Sequence, residues 1–239
     1  MSEPLMIERK QGRWTFTLDR PEKRNALSQE IVEALIEGVE AAHRESVPLL
    51  VFCGAGKNLS AGFDFTGYEE QSEGDLVLRM VRIETLLQLV SSSPALTVGL
   101  ARGKNFGAGV DLFAACKLRY CTPDASFRMP GLKFGLVLGT RRFRNIVGPD
   151  TAMAILGTAR SFGADEALLN RFVTSVVAED AWAGLLMDAE SAAIALDPET
   201  RSALYTALNV NDANADMAAL VRSASRPGFK QRIQHYLAG

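Results

Sequence analysis

The chain has 239 residues, 26 Lys and Arg against 28 Asp and Glu for a formal net charge of −2, and 47% hydrophobic side chains. A chain of this size buries about 70–75% of its unfolded surface and forms a core without disulfides or metals, while its balanced charge supplies no basic field and argues against nucleic acid as the main partner. Two distant histidines, His43 and His235, leave a metal centre almost without ligands, and Cys53, Cys116 and Cys121, with no C-x-x-C pair, read as buried reduced thiols of a cytosolic protein.

Residues 5–10 form a short strand-like run, and residues 14–18, WTFTL, alternate apolar and hydroxylated side chains; with Gln11 and Gly12 between them they read as a hairpin. After a charged turn over 19–25, Ser28 is placed to cap a helix whose Ile31, Leu35, Val39 and Ala42 recur at helical spacing. The run 48–53, PLLVFC, bounded by Gly54 and Gly56, suits a strand buried on both faces. Over 75–90, Leu76, Met80, Ile83, Leu87 and Val90 predict a second helix, with Gly74 and the segment 91–94 marking its ends. Strand 95–101, a short helix over 107–116 and strand 118–121 follow, so the pattern is α/β and contains β-β-α units. From residue 150 onward Ala, Leu and Met dominate and, apart from 173–177, the periodicity is helical, over 180–196, 198–210, 212–223 and 229–237. The expected division is an α/β core, 1–178, and an all-helical part, 179–239. The first residues hold acidic side chains and no apolar stretch, and nowhere is there a run of the ~20 apolar residues a membrane span needs, so a cytoplasmic protein without a membrane partner is expected.

Two glycine-containing segments follow buried strands: Ser60-Ala-Gly-Phe-Asp64, and Gly103 to Asp111 with Gly107-Ala-Gly109 at its centre. The second has neither the G-x-G-x-x-G spacing of a dinucleotide site nor the G-K-[ST] of a P-loop. Small residues let a ligand approach the backbone, and two N–H groups converging on one carbonyl oxygen make an oxyanion hole; a tight connection explains either segment taken alone.

In their surroundings these segments resemble the crotonase superfamily, the enoyl-CoA hydratases and isomerases. The resemblance runs collinearly through Arg20-Pro21 with Asn25-Ala-Leu27, Leu59 to Asp64, Phe106 to Leu112, Ala125 to Pro130, Gly139 to Gly148 and Ala164 to Ala167, about three quarters of the chain. It implies a spiral of β-β-α units with a C-terminal helical trimerisation region, a homotrimer or dimer of trimers, an acyl-CoA thioester as ligand, and no cofactor beyond the coenzyme A of the substrate. By position it puts the oxyanion-hole N–H groups on Phe63 and Ala108, with Gly62 and Gly107 beside them in the substrate site. Arg24 falls where the family has a basic residue near the CoA phosphates, the backbones of Ala26 and Ala61 where adenine is recognised, and Phe229 and Arg232 match an aromatic and basic pair with which a neighbouring subunit touches CoA.

The acids depart from the family. Hydration uses two glutamates; the first maps to Asp111, and Gly131 stands in place of the second. The loop 132–139 is about three residues shorter and carries no substitute acid. Asp111 is then the candidate for moving a proton, with a plain helix-capping role as the alternative, and isomerisation or another enolate reaction is preferred to hydration. A weak hydratase working through Asp111 alone and a crotonase-fold acyl-CoA-binding protein without chemistry remain open. Asp64 reads as structural, Lys133 as solvent-facing, one of Arg141, Arg142 and Arg144 matches a family arginine, and Tyr68, His43 and His235 have no supporting motif.

Overall fold

The computed structural model describes residues 3–239. Strands β1 (Leu5–Lys10) and β2 (Arg13–Leu18) form the expected antiparallel hairpin, turning at Gly12 with φ +86°. The Ser28 hydroxyl accepts the Ile31 N–H at the start of α1 (Gln29–Arg44), a cap of the kind that contributes about 1 kcal/mol, and the four spaced apolar residues are buried. After β3 (Leu49–Gly54), α2 (Glu73–Ser91) begins earlier than its apolar spacing suggests. Ser72 accepts the Asp75 N–H while Asp75 accepts the Ser72 N–H, and this reciprocal capping box puts Gly74 inside the first turn.

The chain then winds. β4 (Leu96–Ala101), β5 (Lys104–Phe106) and α3 (Ala108–Ala115) make one turn; β6 (Leu118–Cys121), β7 (Ser126–Arg128) and α4 (Thr140–Val147) make the next. Next come α5 (Pro149–Leu156), β8 (Ser161–Gly163), α6 (Ala164–Leu169) and β9 (Ser175–Val176). In each turn the first strand joins a six-stranded sheet ordered β1-β2-β3-β4-β6-β9, parallel from β2 onward, and the second joins a three-stranded sheet ordered β5-β7-β8. This is a mixed α/β spiral of β-β-α units. The small sheet escapes sequence reading because its strands have three residues each, and β8 interrupts a stretch whose text reads as helical.

Alternation along the large sheet divides the core. Leu50 and Phe52 face α1 and α2, whereas Leu49, Val51, Leu96 and Val98 face Trp182, Ala189 and Ala193 of α7 (Trp182–Ile194). Phe113, Phe127, Phe143, Phe162 and Phe172, from α3, β7, α4, β8 and the approach to β9, meet with ring centroids 5.2–5.8 Å apart and bind the small sheet to its helices. Helices α8 (Pro198–Leu208), α9 (Ala213–Ala224) and α10 (Phe229–Ala238) follow. Both α9 and α10 return to α2, and α10 also covers a 3-10 turn at Gly131–Phe134. Cys116 and Cys121 are buried and Cys53 half-buried, all as free thiols. Among the described residues no helix is long and apolar enough to cross a membrane.

Candidate active site

The two glycine segments lie against each other. The Phe106 N–H donates to the Ser60 carbonyl at 3.1 Å. A methyl group built on Gly62, whose φ is +82°, would stand 2.5 Å from the Phe106 oxygen and 3.1 Å from the Ala108 nitrogen. Only glycine permits that conformation together with that approach. Phe63 forms an isolated parallel bridge with Leu27: the Leu27 N–H donates to Gly62 and the Asp64 N–H to Leu27, at 2.7 and 3.2 Å. Successive strand groups point to opposite sides, so the Phe63 N–H is turned away from Leu27, and it has no acceptor among the described residues. The Ala108 N–H, at the first position of α3, has none either.

Both residues line a cavity of about 270 Å³ that Asp111 also borders. Asp111 is the sole carboxylate and Arg24 the sole cation on that wall among the described residues; nearly everything else is apolar. Asp111 does not cap α3, whose N-cap Gly107 makes no side-chain hydrogen bond. Its Oδ1 is buried without a hydrogen-bond partner, and a methyl group on Gly139 would fall 1.8 Å from that oxygen. Gly139 has φ +63°, so glycine meets both demands there. Burial pushes the Asp111 carboxyl well above its ordinary pKa; the Arg142 charge opposes this and the Glu84 charge adds to it.

Behind Asp111 is a buried ion cluster. Arg142 of α4 is 2% exposed and donates to Glu84 of α2, 1% exposed, at 3.2 Å; Asp216 of α9 lies 3.9 Å away and pairs with Arg141 at 2.9 Å. Arg142 Nε and Nη1 and Asp216 Oδ2 have no hydrogen-bond partner among the described residues. Burial raises the Glu84 pKa despite the adjacent guanidinium. Of the three arginines on α4, the buried one is therefore Arg142. Glu84, on a helix read only for its apolar stripe, carries no sequence signal for this role.

Arg24, exposed and with φ +51°, borders this cavity and also a second, about 810 Å³ in volume, which Lys57, Arg102 and Lys104 line together with Asp124 and Glu179. Ala61 and Gly107 lie on the first cavity, whereas Gly62 and Ala26 are buried and line neither. The Ala61 and Ala26 N–H groups donate to the Arg24 and Lys23 carbonyls at 2.9 and 3.1 Å, and the Ala26 carbonyl accepts from the Ser28 N–H at 3.0 Å and from the Arg20 guanidinium at 3.4 Å. Within this chain Phe229 is fully buried and the Arg232 guanidinium donates to the carbonyls of Phe134, Ser223, Arg226 and Pro227 at 2.9–3.1 Å, so neither lines the chain's own cavity; the contact expected of them is with the ligand of a neighbouring subunit. The same helix instead places Tyr236 and Leu237 on the cavity wall, which the sequence did not announce.

The remaining candidates lie elsewhere. Asp64 binds the Arg20 guanidinium and the Thr66 N–H, both at 2.9 Å. Burial alone would raise its pKa, but those bonds bring it below the ordinary value. Lys133 is exposed, His43 bonds to Ser93 at 2.8 Å, His235 is exposed, and Tyr68 is buried with its hydroxyl toward Glu69.

Comparison with known proteins gives concordant matches. The family model for enoyl-CoA hydratase/isomerase matches residues 8–226. The echA6 protein of Mycobacterium leprae, provisionally described as an enoyl-CoA hydratase, is 35% identical over 169 residues, 68% of this chain and 66% of its own. The mitochondrial Delta(3,5)-Delta(2,4)-dienoyl-CoA isomerase of Rattus norvegicus is 33% identical over 175 residues, 66% of this chain and 54% of its own. The match thus spans about two thirds of the mycobacterial relative and about half of the rat one. A crystal structure from Bordetella parapertussis, provisionally described as an enoyl-CoA hydratase/isomerase, superposes with a TM-score of 0.99 at 68% identity over the whole of both chains.

Proposed function

The chain belongs to the enoyl-CoA hydratase/isomerase family, and from that premise we propose that it binds an acyl-CoA thioester and performs one-carboxylate enolate chemistry on it. The thioester oxygen sits between the Phe63 and Ala108 N–H groups, and each such donor is typically worth a few kcal/mol to a developing oxyanion. Asp111 removes the α-proton, the C–H electron pair passes into the thioester as an enolate, and the same carboxyl returns the proton at the γ-carbon. The double bond moves and no cofactor beyond the substrate's own CoA is needed. The observation that carries this reading is the wall itself: one buried carboxylate with a free oxygen, and Gly131 where a second acid would be needed to place water. The polyphosphate end of CoA runs past Arg24 toward Lys57 and Lys104. Work in the cytoplasm, as a homotrimer or dimer of trimers, belongs to the same reading.

The test is incubation with short acyl-CoAs in heavy water, followed by mass spectrometry. Deuterium should enter at the α-carbon without net hydration of an enoyl-CoA. Binding without exchange on any thioester would replace the enzyme reading by that of an acyl-CoA-binding protein, for which Gly131 is the motive. Calorimetric titration should show acyl-CoA binding weakened about five- to tenfold in Arg24→Ala, as for one charge-assisted phosphate contact at the surface. Unchanged affinity would remove Arg24 from the site.

A further inference from the structure

We propose that α10 forms the selective end of the acyl cavity, Tyr236 and Leu237 restricting it to short acyl groups that end in an aromatic ring. This rests on the acyl-CoA reading and goes beyond it by naming the acyl class. A row of rings leads from the oxyanion hole to the C-terminal helix. Phe63 meets Phe65 edge to face at 5.0 Å, Phe65 meets Phe134 at 6.4 Å and 80°, and Phe134 meets Tyr236 at 5.1 Å. In the acyl-CoA reading the row begins on the residue whose N–H meets the thioester oxygen, and all four rings stand on the cavity wall. Edge and face contacts of this kind favour another ring over a saturated chain, and the sulfurs of Met80 and Met129 on the same wall add to that preference.

Charge and size agree. Beyond Asp111 and Arg24 the wall offers no charged side chain, so the far end of the acyl group is uncharged. A cavity of about 150 Å³ accepts a benzene-sized guest; about 270 Å³ holds a ring and the short carbon spacer that joins it to the thioester. A long straight chain outgrows that volume, on whose wall Tyr236 and Leu237 stand.

The wall is fixed in place. Arg232 ties α10 to the Phe134 carbonyl and to the end of α9. Phe229 anchors its start in the core, and the Lys230 ammonium donates to the carbonyls of Glu69 and Gln71 in the segment that leads into α2. These contacts hold Tyr236 against Phe134 in place of the longer loop that the family has at 132–139.

The experiment is calorimetric titration of the full chain with 3-phenylpropanoyl-CoA, hexanoyl-CoA and tetradecanoyl-CoA. The phenylpropanoyl thioester should bind most tightly, by roughly tenfold over the tetradecanoyl one, a difference well within calorimetric reach. Tyr236→Ala should abolish the preference for the ring and admit the long chain; Leu237→Ala, at a partly exposed position, should act in the same direction more weakly and serves if the first variant does not fold. Tetradecanoyl-CoA binding the unaltered protein as well as the phenylpropanoyl thioester, or an unchanged ranking in both variants, overturns the inference alone. Failure of all three thioesters to bind overturns the acyl-CoA reading beneath it.

Discussion

Asp111→Asn should lower α-proton exchange by roughly 10²- to 10⁴-fold, the usual contribution of a positioned general base, while leaving acyl-CoA binding intact and raising the thermal stability of the protein. The last effect follows from the sign of the shift. Burial holds the folded-state pKa of Asp111 above its unfolded value, so this group's contribution to stability is fully present below the ordinary carboxylate range and is lost as pH rises through the folded value. At neutral pH, above the ordinary carboxylate value, the raised pKa therefore counts against the folded state, and Asn, which does not titrate, removes that cost. Exchange in the unaltered protein should correspondingly fall as pH drops through the raised pKa. Mass-spectrometric exchange against pH, with thermal scans of both proteins at acid and neutral pH, checks all three statements. If Asn destabilised the protein equally at both pH values, Asp111 would be a structural residue.

The second large effect belongs to the cluster behind it. Arg142→Leu should cost about 3–5 kcal/mol in denaturant unfolding, because it leaves Glu84 buried without its counter-charge. The double change Arg142→Leu with Glu84→Leu should recover most of that loss. Two Arg142 nitrogens, Nε and Nη1, stay without a hydrogen-bond partner among the described residues, and burial raises the Glu84 pKa even beside the guanidinium, so the pair is a poor source of stability although breaking it is harmful. The Arg142 charge also favours ionised Asp111, so any active single variant should show its exchange profile moved to higher pH. A double variant as unstable as the single one would mean that Arg142 acts by packing alone.

Much of this was readable from residue order. The hairpin, α1 with its Ser28 cap, β3, β6 and the four C-terminal helices follow from period and punctuation, because those signals lie within each segment's own residues. The small sheet was not readable: β5, β7 and β8 are too short to show a period, and they are held by the five-phenylalanine cluster, whose members lie far apart in sequence. Gly74 misled for a local reason, since the capping box at Ser72 overrides the low helix propensity of glycine. In the site, motif order alone singles out Phe63 and Ala108, because the loops that carry them are local, and both line one cavity. Glu84 behind Asp111 and Tyr236 against Phe134 are encounters across 58 and 102 residues respectively, counting Arg142 as the partner of Glu84. Only the Arg142–Glu84 pair between α4 and α2, and the packing of α10 on the 131–134 turn, reveal them.

The Leu27–Phe63 bridge has a further use. It leaves the Phe63 amide without an acceptor between two amides, Leu27 and Asp64, whose hydrogens are engaged. In a hydrogen–deuterium exchange experiment such a proton trades with solvent quickly while its bridged neighbours trade slowly. A carbonyl oxygen seated in the hole would slow that one proton selectively. Occupancy of the site can thus be watched at a single backbone position, with any ligand and without turnover.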